Sequence, residues 1–265
     1  MIETSVSLSA CYRSTYANYH CNFVEASSEQ ARSLITSNKV RPEKLIVQLS
    51  AKPSSRFTRI DSKSFVHAVR EEIEWFNKQG VCFFVLTHLA YKSRSVNDIN
   101  PSDFADVLAR LCNSVKLSTS ACVYVEPFPE SKYLDSFMAV SSACEDIRAL
   151  HANESIDVVP VADLQRDIAA STRAAVSRIV LETDFIRVSR DLERKPFMPN
   201  RMEREISALE FVVEKAETNE FCGSLILAYD ENNLRAPSNV GASRFINWCR
   251  AAQGSSLETS QRGIL

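Results

Sequence analysis

Four polar side chains suited to catalysis or binding each follow a short apolar run of the sequence. They are Ser50, His88, Glu126 and Tyr229. If the runs are parallel strands, their carboxyl ends share one edge of a sheet, where ligands bind in open α/β proteins. A serine, a histidine and a carboxylate at such an edge are the parts of a hydrolase triad, although a serine in this position is also an ordinary turn or helix cap. These residues are therefore the first candidates for a functional site.

The glycines of the chain limit the chemistry further. Only five occur, and none follows the apolar run that ends before Ser50. Neither G-x-G-x-x-G nor G-x-x-x-x-G-K-[ST] is present, which excludes the usual loops for dinucleotides and nucleotide phosphates. The sharp turn of a hydrolase nucleophile needs G-x-S-x-G, but Gln48 and Lys52 occupy the two glycine positions around Ser50. A serine hydrolase using Ser50 and His88 is therefore only an alternative, and no cofactor is predicted.

Composition and charge narrow the class of protein. Eight cysteines are scattered without a C-x-x-C pair, which favours buried thiols in a reducing compartment over zinc ligands or disulfides. The formal net charge of -2 gives no overall attraction for nucleic acid, so any such contact needs a local basic patch. No apolar run approaches the length of about 18 residues that a membrane helix needs, and the N-terminus lacks a leader pattern. The sequence predicts a cytoplasmic protein with no metal site and no membrane contact.

The elements that position the candidate residues alternate along the chain. Nearly continuous apolar runs, typical of strands buried on both faces, occupy 45–49, 81–86, 121–125, 156–159 and 224–228. Segments with helical periodicity occupy 62–79, 101–115, 132–151, 163–194 and 202–217, and Gly80 provides a stop for the first. The alternation predicts an α/β protein with a three-layer Rossmann-like fold, in which helices flank a mostly parallel central sheet. We expect one catalytic domain over 1–265, with a polar N-terminal extension at 1–40 and a flexible tail at 254–265.

The helix predicted at 202–217 offers further carboxylates. Its apolar stripe is accompanied by a stripe of glutamates that includes Glu210 and Glu214. Such a stripe is usually a solvated face. Because the strand that follows returns directly to the sheet, one or two of these side chains could instead reach the candidate site.

The order of these segments resembles that of tRNA-dependent cyclodipeptide synthases, whose fold is that of the class I aminoacyl-tRNA synthetase catalytic domain. The similar segments are Leu45-Ile-Val-Gln-Leu-Ser-Ala51, Phe84-Val-Leu-Thr-His88, Asp157-Val-Val-Pro-Val-Ala-Asp-Leu-Gln165, Leu209-Glu-Phe-Val-Val-Glu-Lys-Ala216 and Leu225-Ile-Leu-Ala-Tyr229. Phe211 or Glu210 stands where the family has a tyrosine, and the strand at 121–125 lies in an insertion. These departures suggest the divergent branch that joins arginine to a second amino acid.

The resemblance implies an ATP-independent aminoacyltransferase that takes two aminoacyl-tRNAs as substrates and releases a diketopiperazine. Ser50 would carry the first aminoacyl group as an ester. Glu214, or Glu210, would anchor the α-ammonium of that group and assist proton transfer. Tyr229 would orient the dipeptidyl ester or relay its proton.

Other residues would bind the substrate under this interpretation. His88 and Phe211 would line the substrate pocket, and arginines along 166–194 would contact tRNA phosphates. As a charged helix face, the same arginines could equally be solvated. A non-catalytic Rossmann-like module that binds tRNA or a protein is the alternative outside enzymes, and the oligomeric state stays open.

Overall fold

The structure is a computed structural model that describes residues 5–9, 23–49, 62–86, 101–126, 133–150, 155–163, 183, 185–188 and 224–227. The chain divides into two compact units: the continuous segment Glu25–Val161, and a second unit that combines Met1–Val24 with Ala162–Leu265. The described helices and strands are, in chain order, β1 (Ser5–Ser9), β2 (Val24–Ser27), α1 (Ser28–Thr36), a 3-10 turn (Pro42–Lys44), β3 (Leu45–Leu49), α2 (Ser62–Lys78), β4 (Phe83–Leu86), α3 (Pro101–Ser114), β5 (Ala121–Val125), α4 (Tyr133–Leu150), β6 (Ile156–Pro160), β7 (Ala162–Asp163), β8 (Phe185–Val188) and β9 (Ser224–Leu227).

The strands of the Glu25–Val161 unit lie side by side in the order in which they occur in the chain, β2-β3-β4-β5-β6. The strands β3 to β6 pair in parallel, with Ile46 opposite Phe83, Phe83 opposite Cys122 and Cys122 opposite Asp157. Helix α2 packs against α3, and α3 packs against α4. The predicted α/β fold, a parallel sheet flanked by helices, is confirmed.

Strand order bears on the resemblance to synthetase-like proteins. In Rossmann-type sheets the order reverses, and the crevice at the reversal holds the ligand. Among the described strands β2 to β6 there is no reversal, because each crossover places the next strand beside the previous one. In a parallel sheet of this kind, the carboxyl ends of the strands still lie at one edge.

The two faces of the β3–β6 sheet differ in polarity. One face carries only apolar side chains, and its central members Val47, Phe84, Val123 and Val158 are at most 1% exposed. The other face, which we call the polar face, carries Gln48 and Tyr124 in one row with Val85 between them. Because side chains alternate along a strand, Glu126 lies on the polar face one step closer to the carboxyl edge.

The turn between α2 and β4 depends on a buried amide. Asn77 Nδ2 donates to the main-chain oxygens of Val81 and Thr119 and to Thr119 Oγ1, each at 3.1 Å, while Asn77 Oδ1 accepts from the main-chain nitrogens of Ser118 and Thr119 at 2.7 and 3.2 Å. Gly80 follows with φ +96°, the left-handed conformation of a helix stop. The stop predicted at Gly80 is therefore confirmed, and Asn77 joins it to the loop before β5.

The second unit contains the described strands β1, β9, β8 and β7 in that order, all paired in parallel. Strand β8 lies inside 163–194, so the prediction of a helical tract is wrong at Phe185–Val188. Phe185 and Ile186 have no exposed surface, and β8 pairs with a strand on each side. Strand pairing and burial outweigh helical periodicity there. The helix predicted at 202–217 lies outside the described residues.

Three described elements occur where the sequence indicated only a polar extension at 1–40. Strand β1 occupies 5–9, strand β2 and helix α1 together occupy 24–36, and Ala31 and Leu34 of α1 are buried. The single catalytic domain and the flexible tail stay predictions. None of the described helices combines the length and the apolarity that crossing a bilayer requires.

Candidate functional site

The carboxyl end of β2 passes into α1 without a loop. Ser27 caps α1: its Oγ accepts a hydrogen bond from Gln30 N at 3.4 Å, and Gln30 Oε1 accepts one from Ser27 N at 3.4 Å. Ser28 Oγ donates to the main-chain oxygen of Gln48 in β3 at 2.9 Å. These contacts fix the β2–α1 junction to the carboxyl half of β3.

A buried carboxylate lies in β2, beside β3. Glu25 has no exposed surface, and its Oε1 accepts a hydrogen bond from Gln48 Nε2 at 3.0 Å. Since Gln48 is on the polar face, this contact places the Glu25 carboxylate there as well. A charged side chain is rarely buried so completely unless it is hydrogen-bonded. The hydrogen bond between Glu25 and Gln48 thus satisfies part of a buried carboxyl group on the polar face.

A second carboxylate follows β5. Glu126 is 8% exposed, and its main-chain nitrogen donates to the oxygen of Leu86 at 3.1 Å, which continues the β4–β5 ladder by one residue. Tyr124, two residues earlier on the same face, stacks on Phe83 with ring centroids 6.4 Å apart and planes 15° apart. Because two residues along a strand span roughly 6.6 Å, Glu126 lies about that far beyond Tyr124 toward the carboxyl edge. The continued ladder therefore holds the Glu126 backbone rigidly at the carboxyl edge.

These four side chains give the polar face its chemical character. Glu126 provides a carboxylate, Tyr124 a hydroxyl, and Glu25 with Gln48 a carboxylate–amide pair. Gln48 and Tyr124 lie two strands apart, roughly 10 Å along the sheet. Buried carboxylates on the same sheet face as neutral hydrogen-bonding groups suit acid–base chemistry on a small polar molecule.

Most of the residues predicted for the site lie outside the described residues. They are Ser50, His88, Glu210, Phe211, Glu214 and Tyr229. Strand β3 ends directly before Ser50, and β4 ends two residues before His88, so a position at the carboxyl edge stays a prediction for both. Glu126, named as the acid of a triad, is described and lies at that edge.

The described thiols on the helices are poorly suited to nucleophilic chemistry. Burial raises the pKa of Cys112 to about 12, and burial likewise raises the pKa of Cys144 to about 12. Both groups are therefore neutral thiols near pH 7, whereas the thiolate is the reactive form. Within the described ranges no three His, Cys, Asp or Glu side chains are grouped so that they could hold a metal ion.

A scan against protein families finds no match, and neither does a search of curated proteins. Solved structures do match. D-allulose 3-epimerase from Methylomonas sp., in complex with D-allulose, is 9% identical with a TM-score of 0.62, over 99% of this chain and 98% of that one. The 3-keto-D-glucoside 4-epimerase YcjR from E. coli is 10% identical with a TM-score of 0.53, over 94% and 100%. The chain shares its fold with sugar epimerases.

A further match specifies the type of fold. A xylose isomerase-like TIM barrel/4-hydroxyphenylpyruvate dioxygenase fusion protein is 10% identical with a TM-score of 0.51, over 89% of this chain and 40% of that one. Strands in chain order, each joined to the next by a helix, are the arrangement of such α/β proteins. At these identities the likeness establishes the fold and leaves the activity to be argued from the site.

The comparisons correct the interpretation as a cyclodipeptide synthase. Solved structures that share the fold include sugar epimerases, so the aminoacyltransferase activity and the aminoacyl-tRNA substrates are wrong, and the Ser50/His88 hydrolase has no support. The roles assigned to Glu210, Glu214 and Tyr229 depended on that family. The physical reason is that an apolar strand followed by a polar turn is common to all parallel α/β folds. The pattern therefore does not distinguish one family from another.

Of the four side chains that characterise the polar face, sequence reasoning identified only Glu126 as a candidate, and Tyr124 was considered only as part of the strand at 121–125. Glu25 was assigned to a polar extension, and Gln48 was considered only because it is not glycine. The available signal was a single acidic residue inside the apolar run Phe23-Val-Glu-Ala26, which is unusual for a strand buried on both faces.

Proposed function

We propose that this protein is an enzyme of the sugar epimerase or isomerase type, acting on a ketose by proton transfer at a carbon next to the carbonyl group. The observation that carries the proposal is the shielded carboxylate of Glu126, at the carboxyl end of β5, in a fold shared with D-allulose 3-epimerase. Ligands of parallel α/β proteins bind at this edge of the sheet.

The chemistry needs a base and a means of returning the proton. Glu126 removes the proton from the carbon beside the ketone, and the electron pair of the C–H bond moves into the carbonyl group to give an enediolate. The protonated Glu126 returns the proton to the neighbouring carbon, which interconverts ketose and aldose, whereas inversion of the first carbon needs a second proton donor on its opposite side. The small exposed fraction of Glu126 supports this role, because excluding water strengthens the interactions of a carboxylate with a bound substrate.

Other side chains of the polar face would bind the sugar. Tyr124 and Gln48 offer a hydroxyl and an amide on the same face as Glu126. Ser50 and His88, which follow β3 and β4 in the sequence, are proposed as further contacts to sugar hydroxyls. A polyol is recognised by several such neutral groups at once.

Deuterium uptake from solvent tests the proposal directly. The protein is incubated in D2O with D-allulose, D-fructose or D-tagatose, sugars with which epimerases of the same fold were crystallised, and proton NMR follows the carbon-bound hydrogens. We expect uptake at the carbon beside the carbonyl. The variant Glu126→Gln should lose at least ~100-fold in rate, the usual contribution of a positioned general base.

The matched control is Glu145→Gln, which neutralises an exposed glutamate on α4 and should leave the rate unchanged. Equal rates for wild type and Glu126→Gln would remove Glu126 from the mechanism. No exchange into any of the three sugars, by protein whose circular dichroism shows it folded, would count against the epimerase proposal and favour a binding module.

We also propose that the protein works in the cytoplasm. The described cysteines Cys82, Cys112, Cys122 and Cys144 carry thiols and not disulfides, which fits a reducing compartment. Cell fractionation with an antibody to the protein tests this location, and recovery in an oxidising compartment would contradict it.

A further inference from the structure

The amide of Gln48 is held in one orientation by Glu25. Gln48 Nε2 donates to Glu25 Oε1 at 3.0 Å, and a carboxylate oxygen is an acceptor. The contact therefore directs the amide nitrogen of Gln48 toward Glu25 and its amide oxygen away from Glu25. Glu25 itself cannot turn toward solvent, since it has no exposed surface.

The backbone of Gln48 is fixed from the same side. Ser28 Oγ donates to the main-chain oxygen of Gln48 at 2.9 Å, and Ser28 begins a helix whose capping box anchors the end of β2. Ile46 and Val85, its neighbours along and across the sheet on the polar face, are 1% and 0% exposed. Side chain and backbone of Gln48 are thus both positioned by the β2–α1 junction.

The remaining hydrogen-bonding capacity of Gln48 has no protein partner within the described ranges. Its side-chain amide has two donor hydrogens and one acceptor oxygen, and the bond to Glu25 is the hydrogen bond that its side chain makes there. Gln48 is partly exposed. An acceptor and a donor remain side by side on the polar face, in the same row as Tyr124.

We propose that Gln48 binds a hydroxyl group of the sugar, with its amide oxygen as acceptor and its second N–H as donor, and that Glu25 is the positioning residue that fixes this orientation. The inference rests on the proposed function and specifies its substrate class further. A ligand that fits must carry a hydroxyl group in addition to the carbon that reacts at Glu126, as a polyhydroxylated chain does. A site built to bond a hydroxyl discriminates against molecules that lack it.

The experiment compares binding and turnover in three variants, with D-allulose as the probe. Gln48→Met keeps the length of the side chain and removes its hydrogen bonds, Glu25→Gln frees the amide to turn, and Glu25→Gln/Gln48→Glu exchanges the two groups. We expect Gln48→Met to raise KM for deuterium exchange at least tenfold while kcat changes less than threefold, because the contact exists before and during the reaction. Glu25→Gln should raise KM less, since a turned amide still offers a donor.

The exchanged pair separates binding from stability. It retains one amide-to-carboxylate hydrogen bond, so the midpoint of thermal unfolding should return close to that of the wild type. KM should stay raised, because the group facing the ligand is now a carboxylate without an N–H. A purely structural role for the pair predicts that the exchange restores both quantities, and a wild-type KM in a folded exchanged variant would overturn the inference.

Isothermal titration calorimetry with D-allulose distinguishes this inference from the proposed function. Binding by wild type but not by Gln48→Met, without deuterium exchange in either, would support the role of Gln48 and contradict the chemistry. Exchange with an unchanged KM in Gln48→Met would contradict the role of Gln48 and leave the chemistry intact. Absence of both binding and exchange would overturn the two proposals together.

Discussion

At the scale of single residues, the buried side-chain amide of Asn77 joins the end of α2 to the loop before β5. Its hydrogen bonds reach the residue that follows the helix stop, Val81, and the loop residues Ser118 and Thr119 before β5. The loop geometry before β5, and hence the start of the strand that leads to Glu126, depends on this side chain.

We expect Asn77→Leu to destabilise the protein by about 2–3 kcal/mol, because the main-chain oxygen of the buried Val81 and the loop groups of Ser118 and Thr119 lose their partner at once. Urea unfolding followed by circular dichroism measures the change. Asn113→Leu, on the exposed side of α3, is the control and should stay within about 0.5 kcal/mol of wild type. Equal midpoints for the two variants would show that the network contributes little.

The buried thiols give a prediction about alkaline pH. Burial raises the pKa of Cys112 and of Cys144 from 9.0 to about 12. A raised pKa in the folded state contributes stability that is complete below pH 9 and is lost as the pH rises toward 12. The free energy of unfolding should therefore fall more between pH 8 and pH 11 in wild type than in Cys112→Ala/Cys144→Ala, as measured by urea titration. Parallel losses in the two proteins would refute this.

Residues of the candidate site could be predicted from the sequence only where they directly follow a recognisable strand. Glu126 was found because the apolar run before it is continuous. Glu25 and Gln48 were not found, because a hydrogen bond between residues far apart in the chain leaves no mark on the sequence pattern around either residue. The position of a side chain beside a neighbouring strand depends on register, which the sequence near Gln48 does not encode by itself.

At the scale of elements, helices α1 and α2 are joined by a cation–π contact. The Arg32 guanidinium carbon lies 3.9 Å from the centroid of the Trp75 ring, and Trp75 meets Phe76 edge to face with centroids 4.8 Å apart. Because α1 directly follows β2, this contact also helps to keep the Glu25-bearing strand in place.

Replacing Arg32 by Met keeps most of the stem and removes the charge. We expect a loss of about 0.5–1 kcal/mol in the free energy of unfolding, the usual worth of a cation–π contact at an exposed site. Arg41→Met, at another exposed arginine, should change stability less when both are measured by guanidinium unfolding. A larger loss for Arg41→Met would contradict the assignment.

The bounds of several elements were predictable. Strands β3 and β5 have the predicted ends, and α3 ends one residue early, since continuous apolar runs and a proline at the helix start are local signals. Strand β8 was missed because its apolar residues also fit a helical period. Strand β2 is only four residues long, too short for a pattern to stand out beside polar neighbours.

At the scale of the whole molecule, the alternation of strands and helices was predictable and the order of the strands in the sheet was not. The alternation can be read from local periodicity, but it is compatible with every parallel α/β fold. The choice among such folds depends on which strand lies beside which, a property of long-range pairing. The segments at Ser50 and His88 were compatible with a synthetase-like order and equally with the observed one, in which β3, β4 and β5 are consecutive neighbours.

The sequential strand order of Glu25–Val161 has a consequence for how the chain reaches this structure. Ile46 must find Phe83, Phe83 must find Cys122, and Cys122 must find Asp157, steps of roughly 35–40 residues each, so no pairing waits for a distant part of the chain. A nascent chain leaving the ribosome can add each strand to the growing edge as soon as it emerges, with the intervening helix already formed. Glu25 and Gln48 emerge before β4, β5 and β6, so the hydrogen bond between them can form before those strands pair.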